Sequence, residues 1–324
     1  MIYPEFLKKK DTIGVVALSE GVGHKIEDYD NSISILKKEY KIKETNSVRI
    51  NGLVSNTAIK RAEELDELVL DKNVKMIVCA AGGDGQLETL PYINYEHIKE
   101  NPKWIMGASD PTNLLYPVTT MLDIATIYGF NACQYHGNID EENNLEILKG
   151  NLVTQNSYKK YQKFIDSIKE NDIYHRVSYK SNNSIHIKGR MIGGCLDCIG
   201  KIIGTKYDYT NDFIDKYKDD GIIWYMDNFA LSAFDTYLTL LQFKNAGYFR
   251  YCKAVLFGRV AFPNTENSKY IDEYEKAYRM ALKDIPYVSE MDIGHTTPCF
   301  TLINGAIANV DCVKNKGKIS FELV

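Results

Sequence analysis

Four short stretches of the chain carry residue types that do chemistry. Ser109 stands in Gly107-Ala108-Ser109-Asp110, where a buried apolar run ends and a helical pattern begins. A tight turn there pushes a side chain out at the C-terminal edge of a sheet, the edge at which open α/β sheets bind ligands. The N–H groups opening the following helix favour negative charge beside it. This is the logic of a nucleophile elbow, although the G-x-S-x-G string is absent. The alternative is a plain helix cap by Ser109 or Asp110, and the turn taken alone favours the cap.

The second stretch, Gly82-Gly83-Asp84-Gly85, also follows an apolar strand. Its glycines let backbone N–H groups approach a ligand, either a phosphate or the oxyanion of a tetrahedral intermediate. It is neither G-x-G-x-x-G nor a P-loop, so nucleotide binding of those kinds is not supported; a simple tight turn is the competing reading. The third is His295 in Gly294-His295-Thr296-Thr297-Pro298, a loop between an apolar run and a proline. Of the other five histidines, His24 and His97 fall on helical patterns among charges, His136 is unassigned, and His175 and His186 lie in or just beyond a polar stretch. The fourth is Asp227, at the end of the strand-like Ile222-Ile223-Trp224-Tyr225-Met226, where a carboxylate can hold an imidazole in one tautomer or merely terminate a turn before Asn228. Cys195 and Cys198 have CxxC spacing, but no second pair or nearby histidine pair supports a metal or redox site.

The elements that must position these residues follow from periodicity. The first half alternates apolar runs (Thr12–Leu18, Lys75–Ala80, Trp104–Met106) with helical patterns (Ile26–Leu36, Asn56–Leu70 with Asn56 as N-cap, Thr112–Leu122). Such alternation predicts an α/β fold with a mainly parallel N-terminal sheet flanked by helices. Residues 141–183 are polar and lysine-rich, with one sparse helical stripe at Tyr161, Phe164, Ile165 and Ile168, and read as a connecting segment. The C-terminal part is mixed α/β with several strands: Ser184–Ile187, Ile222–Met226, Ala254–Phe257, Val288–Ile293 and the alternating end from Gly305, with helical patterns at Ser232–Lys244 and Ile271–Leu282. The expected organisation is an N-terminal domain over 1–140, the connection, and a C-terminal domain over 184–324.

The whole-chain quantities fit this picture. A chain of 324 residues suits two domains, and a net charge of −4 gives no support for a nucleic-acid or membrane-surface partner. The opening residues lack the layout of a signal peptide, and no run approaches a membrane span. Seven cysteines, an odd number mostly in apolar runs, agree with a cytoplasmic location.

Taken in order, the motifs resemble the LD-carboxypeptidase family of serine peptidases, which includes the microcin C self-immunity proteins. Leu7 to Ala17 is similar to the family's leading segment, Gly82-Gly83 to its glycine pair, and Leu90-Pro91-Tyr92-Ile93 to the run after it. Asn101 to Leu114 resembles the nucleophile motif, Gly193-Gly194-Cys195-Leu196 with Gly204-Thr205 the "GGNL…GT" block, and Gly294 to Pro298 the "GHxxP" motif. These motifs, met in order, overturn the cap reading of Ser109.

The resemblance implies a triad: Ser109 from the N-terminal domain as nucleophile, His295 from the C-terminal domain as base, and Asp227 as the acid. The family acid is Glu, so Asp227 is one methylene shorter, and Asp227→Glu would be expected to preserve or raise turnover. The backbone N–H groups of Gly83 and Asp110 would form the oxyanion hole. Ala108 stands where the family has Tyr, and Ala81 where it often has Arg. The resemblance further implies no metal or organic cofactor, a homodimer, and a small-peptide substrate, murein peptides first and an aminoacyl-adenylate-type amide second. A binding protein that has lost efficient turnover through the Glu-to-Asp change is the reading from another class.

Overall fold

Five short segments of the first half form strands in the computed structural model, which describes residues 1–169, 172–181, 184–263 and 270–324. In chain order they are β1 (Thr12–Val16), β2 (Lys41–Glu44), β3 (Val74–Cys79), β4 (Trp104–Gly107) and β5 (Thr126–Tyr128). Between them lie α1 (Ile26–Leu36), α2 (Ala58–Leu70), α3 (Tyr95–Glu100) and α4 (Thr112–Leu122), and α5 (Ile139–Leu148) follows. Ile13, Val15 and Val16 of β1 and Met76, Ile77 and Val78 of β3 are all buried. A parallel sheet with helices on its faces needs such unbroken apolar runs.

The chain continues through β6 (Gln155–Asn156), β7 (Lys160–Tyr161), α6 (Phe164–Ile168) and β8 (His175–Arg176) to the long β9 (Ile185–Cys195). Next come α7 (Leu196–Ile202), α8 (Thr210–Lys216), β10 (Ile222–Asp227), α9 (Ala233–Asn245), β11 (Cys252–Gly258), α10 (Tyr270–Leu282) and β12 (Tyr287–Met291). The last strands are β13 (Leu302–Asn304), β14 (Ile307–Val313) and β15 (Lys316–Glu322).

These elements make two units, residues 1–152 with 301–305, and residues 153–300 with 306–324. The first unit's sheet runs β13-β5-β4-β3-β1-β2. It is parallel except at β13, which lies antiparallel to β5 with Leu302 opposite Tyr128. The second unit's sheet runs β12-β11-β10-β9-β14-β15-β6. Strands β9 to β12 are parallel there, and β14, β15 and β6 are antiparallel. The fold is thus α/β, with a mostly parallel first sheet and a mixed second one. Among the described residues no helix is long and apolar enough to cross a membrane.

Two local expectations differ from the structure. The 141–183 stretch is not one connection. All of α5 falls in the first unit with Ile147 and Leu148 buried, while β6 pairs with β15 through Asn156 and Lys318 in the second. A two-residue edge strand is held by backbone bonds, so polar composition conceals it. Asn183, the expected boundary, and the side chains of Ile165 and Ile168 lie outside the described residues. The cap of α2 is Thr57 rather than Asn56. The Thr57 Oγ1 accepts from Lys60 N at 3.3 Å, and Asn56 Oδ1 accepts from Thr57 N at 2.9 Å. Both residue types cap helices, and the chain uses the second.

Candidate active site

The run of β4 ends at Gly107, and two residues later the backbone reverses. Ser109 has φ +69°, in the left-handed region that costs a non-glycine residue about 1–2 kcal/mol. The turn is pinned on both sides. Ser109 N donates to the Tyr128 hydroxyl at 3.1 Å, and Ala108 exchanges bonds with the Asn131 side chain at 3.1 and 3.2 Å. Ser109 does not cap α4, whose N-cap position is taken by Pro111. Its carbonyl instead accepts from Thr112 N at 2.9 Å. A strained serine at a strand-to-helix turn is where an elbow nucleophile stands.

The glycine turn lies against this serine. A Cβ on Gly82 would sit 3.1 Å from Ser109 Cβ and 3.3 Å from its Oγ, so a side chain there would press on the hydroxyl. Gly83 has φ +130°, and a Cβ on it would overlap the Ser19 hydroxyl and the Glu20 side chain. Asp110 joins the two turns. Its buried carboxylate accepts from Gln86 N at 2.8 Å, from Asn113 Nδ2 at 2.6 Å and from the Ser19 hydroxyl. Burial pushes this carboxyl above the usual carboxylate range, against the opposite pull of those donors. Sequence reasoning assigned Asp110 a backbone role; its side chain as a strut to residue 86 was not legible, because it depends on the neighbouring loop.

In the second unit, Asp227 is the last residue of β10 and is fully buried. Its Oδ2 lies 2.8 Å from His295 Nδ1. The turn after β10 is served by Asn228 instead, which accepts from Leu231 N at 3.1 Å and donates to Thr236 Oγ1 at 2.8 Å. Gly294 has φ +89°, and a Cβ there would overlap Asp227 Oδ1. His295 is flanked by the rings of Phe229, at 4.7 Å, and Phe164, edge-on at 5.6 Å. Burial alone would lower the imidazole pKa. The Asp227 charge and contact, with a smaller contribution from Asp197, outweigh it and hold His295 above its ordinary value.

Other histidines also meet carboxylates. His97 is 2.7 Å from Asp66, His186 2.7 Å from Asp311 and His175 3.5 Å from Asp166. Those imidazoles are 35, 63 and 33% exposed, against 12% for His295 beside a carboxylate at 0%. Burial is what separates the His295 pair from surface pairs, because charge pairing in water contributes little.

The sequence-predicted residues therefore gather in two groups. Ser109, Gly83 and Asp110 share the strand-end turns of the first unit, and Asp227 and His295 are in contact in the second. Cys195 and Cys198 are both buried and outside any disulfide, Cys195 being opposite Asp227 in the sheet. The hydrogen bond between the two and their burial push the Cys195 thiol far up, away from reactivity. A residue missed in the sequence is Asp197, which accepts from the N–H groups of Phe229 and Ala230 at 3.0 and 3.1 Å.

Comparison with known proteins gives this geometry a context. Residues 13–129 match the family model for the LD-carboxypeptidase N-terminal domain, and residues 188–310 match the model for the C-terminal domain. The microcin C7 self-immunity protein MccF of Escherichia coli is 26% identical over 272 residues, 79% of this chain and 77% of that protein. The putative carboxypeptidase YocD of Bacillus subtilis is 25% identical over an alignment covering 98% of each chain. A solved structure of MccF in complex with aspartyl sulfamoyl adenosine superposes with a TM-score of 0.85 at 22% identity, covering 100% of both chains.

Proposed function

The chain belongs to the LD-carboxypeptidase family, and from that premise we propose that it is a serine hydrolase cleaving an amide bond in a small peptide through Ser109, His295 and Asp227. The observation that carries the reading is the buried contact of His295 Nδ1 with Asp227. It leaves Nε2 to serve as base.

In the proposed cycle, Ser109 Oγ attacks the carbonyl carbon of the substrate while His295 Nε2 takes the hydroxyl proton. Asp227 fixes the tautomer and stabilises the imidazolium without becoming protonated. The carbonyl oxygen becomes an oxyanion facing the N–H groups of Gly83 and Asp110, each such donor contributing about 3 kcal/mol. The tetrahedral intermediate collapses, the C–N bond breaks, and the imidazolium proton goes to the leaving amine. Water then attacks the acyl-enzyme, giving its proton to His295, and collapse returns that proton to Ser109 as the acid product leaves.

For substrate, an LD-carboxypeptidase acting on murein peptides is the first reading, supported by the family and by a carboxypeptidase relative that spans the chain. An aminoacyl-nucleotide amide is the second, supported by the likeness to MccF, which was solved with aspartyl sulfamoyl adenosine.

Intact-mass analysis after a fluorophosphonate probe tests the mechanism: one adduct is expected, lost in Ser109→Ala. A folded protein that takes no label would favour a binding protein. Incubation with a murein tetrapeptide and with an aminoacyl sulfamoyl adenosine divides the substrates, since D-alanine release from the first alone would sink the nucleotide reading.

A further inference from the structure

We propose that Asp197 is a positioning residue for His295: it fixes the turn leaving β10 so that the Phe229 ring bears on the imidazole. The inference rests on the proposed role of His295 and names a group that acts through it.

Cys195, the last residue of β9, lies opposite Asp227, the last residue of β10. The first turn of α7 therefore starts beside the end of β10. Asp197 sits in that first turn, and its carboxylate faces the departing backbone. Oδ2 accepts from Phe229 N at 3.0 Å and Oδ1 from Ala230 N at 3.1 Å. The Cys195 thiol donates to Oδ2 at 3.6 Å. Two adjacent N–H groups held by one carboxylate leave the turn little freedom, because charge-assisted bonds are stronger than neutral ones.

What the turn carries is Phe229. Its ring centroid is 4.7 Å from that of His295, and Phe164 closes another side edge-on. The imidazole is thus fixed by Asp227 at Nδ1 and by two aromatic rings. A ring turned by a few tens of degrees would misdirect Nε2, and an error of about 1 Å at a reacting atom can cost 100-fold in rate.

The charges around the imidazole are few. Asp227 comes from β10 and Asp197 from α7, and both favour the imidazolium. Arg259 reaches Thr296, the next residue, at 3.4 Å, but its charge is met by Asp292 at 2.8 Å. On α6, which supplies Phe164, Asp166 faces His175. Removing the Asp197 charge should therefore lower the pH at which His295 titrates.

The test uses the full chain. The His295 imidazole is titrated by NMR without substrate in wild type and in Asp197→Asn, and kinetics follow on the substrate found active. The midpoint should move to lower pH, and kcat should fall on the order of 10-fold with KM nearly unchanged. An unchanged midpoint with unchanged kcat would overturn the proposal. If Asp197→Asn does not fold, Phe229→Leu serves: kcat should fall similarly, and an undiminished kcat would count against the role. Where both fold, the double variant should lose no more than the larger single loss, since the two residues act in one path; full additivity would refute it. Because the titration needs no turnover, a protein without hydrolase activity would sink the mechanism and still report on Asp197.

Discussion

Gly294 stands so close to Asp227 that a Cβ on it would overlap the carboxylate Oδ1. The contact explains how a short acid reaches His295. With no side chain at 294 and φ at +89°, the loop backbone settles onto the carboxylate, and the next residue brings Nδ1 to 2.8 Å. Gly294→Ala should destabilise the protein by about 3 kcal/mol, from left-handed strain plus overpacking, and abolish turnover. Urea unfolding of the variant beside wild type measures the first; fluorophosphonate labelling rate measures the second.

Replacement of the acid separates charge from shape. Asp227→Asn keeps the volume but removes the group proposed to set the tautomer, and kcat should drop on the order of 10,000-fold with the fold retained. Asp227→Glu places another methylene into a fully buried site already in contact with Gly294. That packing reverses the expectation drawn from the family acid: Glu should lower stability by about 1–3 kcal/mol and reduce turnover. Turnover equal to wild type would show that the loop yields.

The proposed mechanism needs His295 neutral. Its folded pKa lies above the ordinary histidine value, so the base form is gained only as pH rises through that higher value. The acid limb of kcat/KM should accordingly have a midpoint above about 6.5. In Asp227→Asn, with the larger of the two favourable charges gone, the midpoint of the residual activity should move down. A pH–rate series on both proteins checks the sign.

Strain at Ser109 predicts a gain of stability with loss of function. Glycine accepts φ +69° without penalty, so Ser109→Gly should be more stable than Ser109→Ala by about 1 kcal/mol, and neither should turn over. Thermal unfolding of the two variants side by side reads the difference, and equal stabilities would mean the turn stores no strain.

Much of this was legible in the sequence. Apolar runs ending at Met106 and Met226 announced β4 and β10, and Ser109 and Asp227, shortly past them, stand where strand ends place side chains. What was hidden depends on register and on partners far along the chain. Asp197 meets residues 229 and 230 only because β9 and β10 end level with each other. The Asp110 carboxylate reaches Gln86 only because the two strand-end turns of the first unit adjoin. The 141–183 stretch read as a linker because it offers few apolar residues, yet Gln155 is fully buried in an edge pairing with β15. Hydrophobic pattern shows where elements run, while polar contacts across elements are fixed by geometry that the pattern does not encode.

The return of β13 to the first unit has a consequence for biosynthesis. When the ribosome has delivered the first 152 residues, that unit's sheet still has β5 as an open edge, because Leu302–Asn304 has yet to be made. At ordinary elongation rates the edge waits on the order of 10 s. An unpaired strand edge invites pairing with a neighbouring nascent chain. Polysomes translating this protein would thus carry a run of identical sheets whose β5 edge stays open until residue 304 emerges.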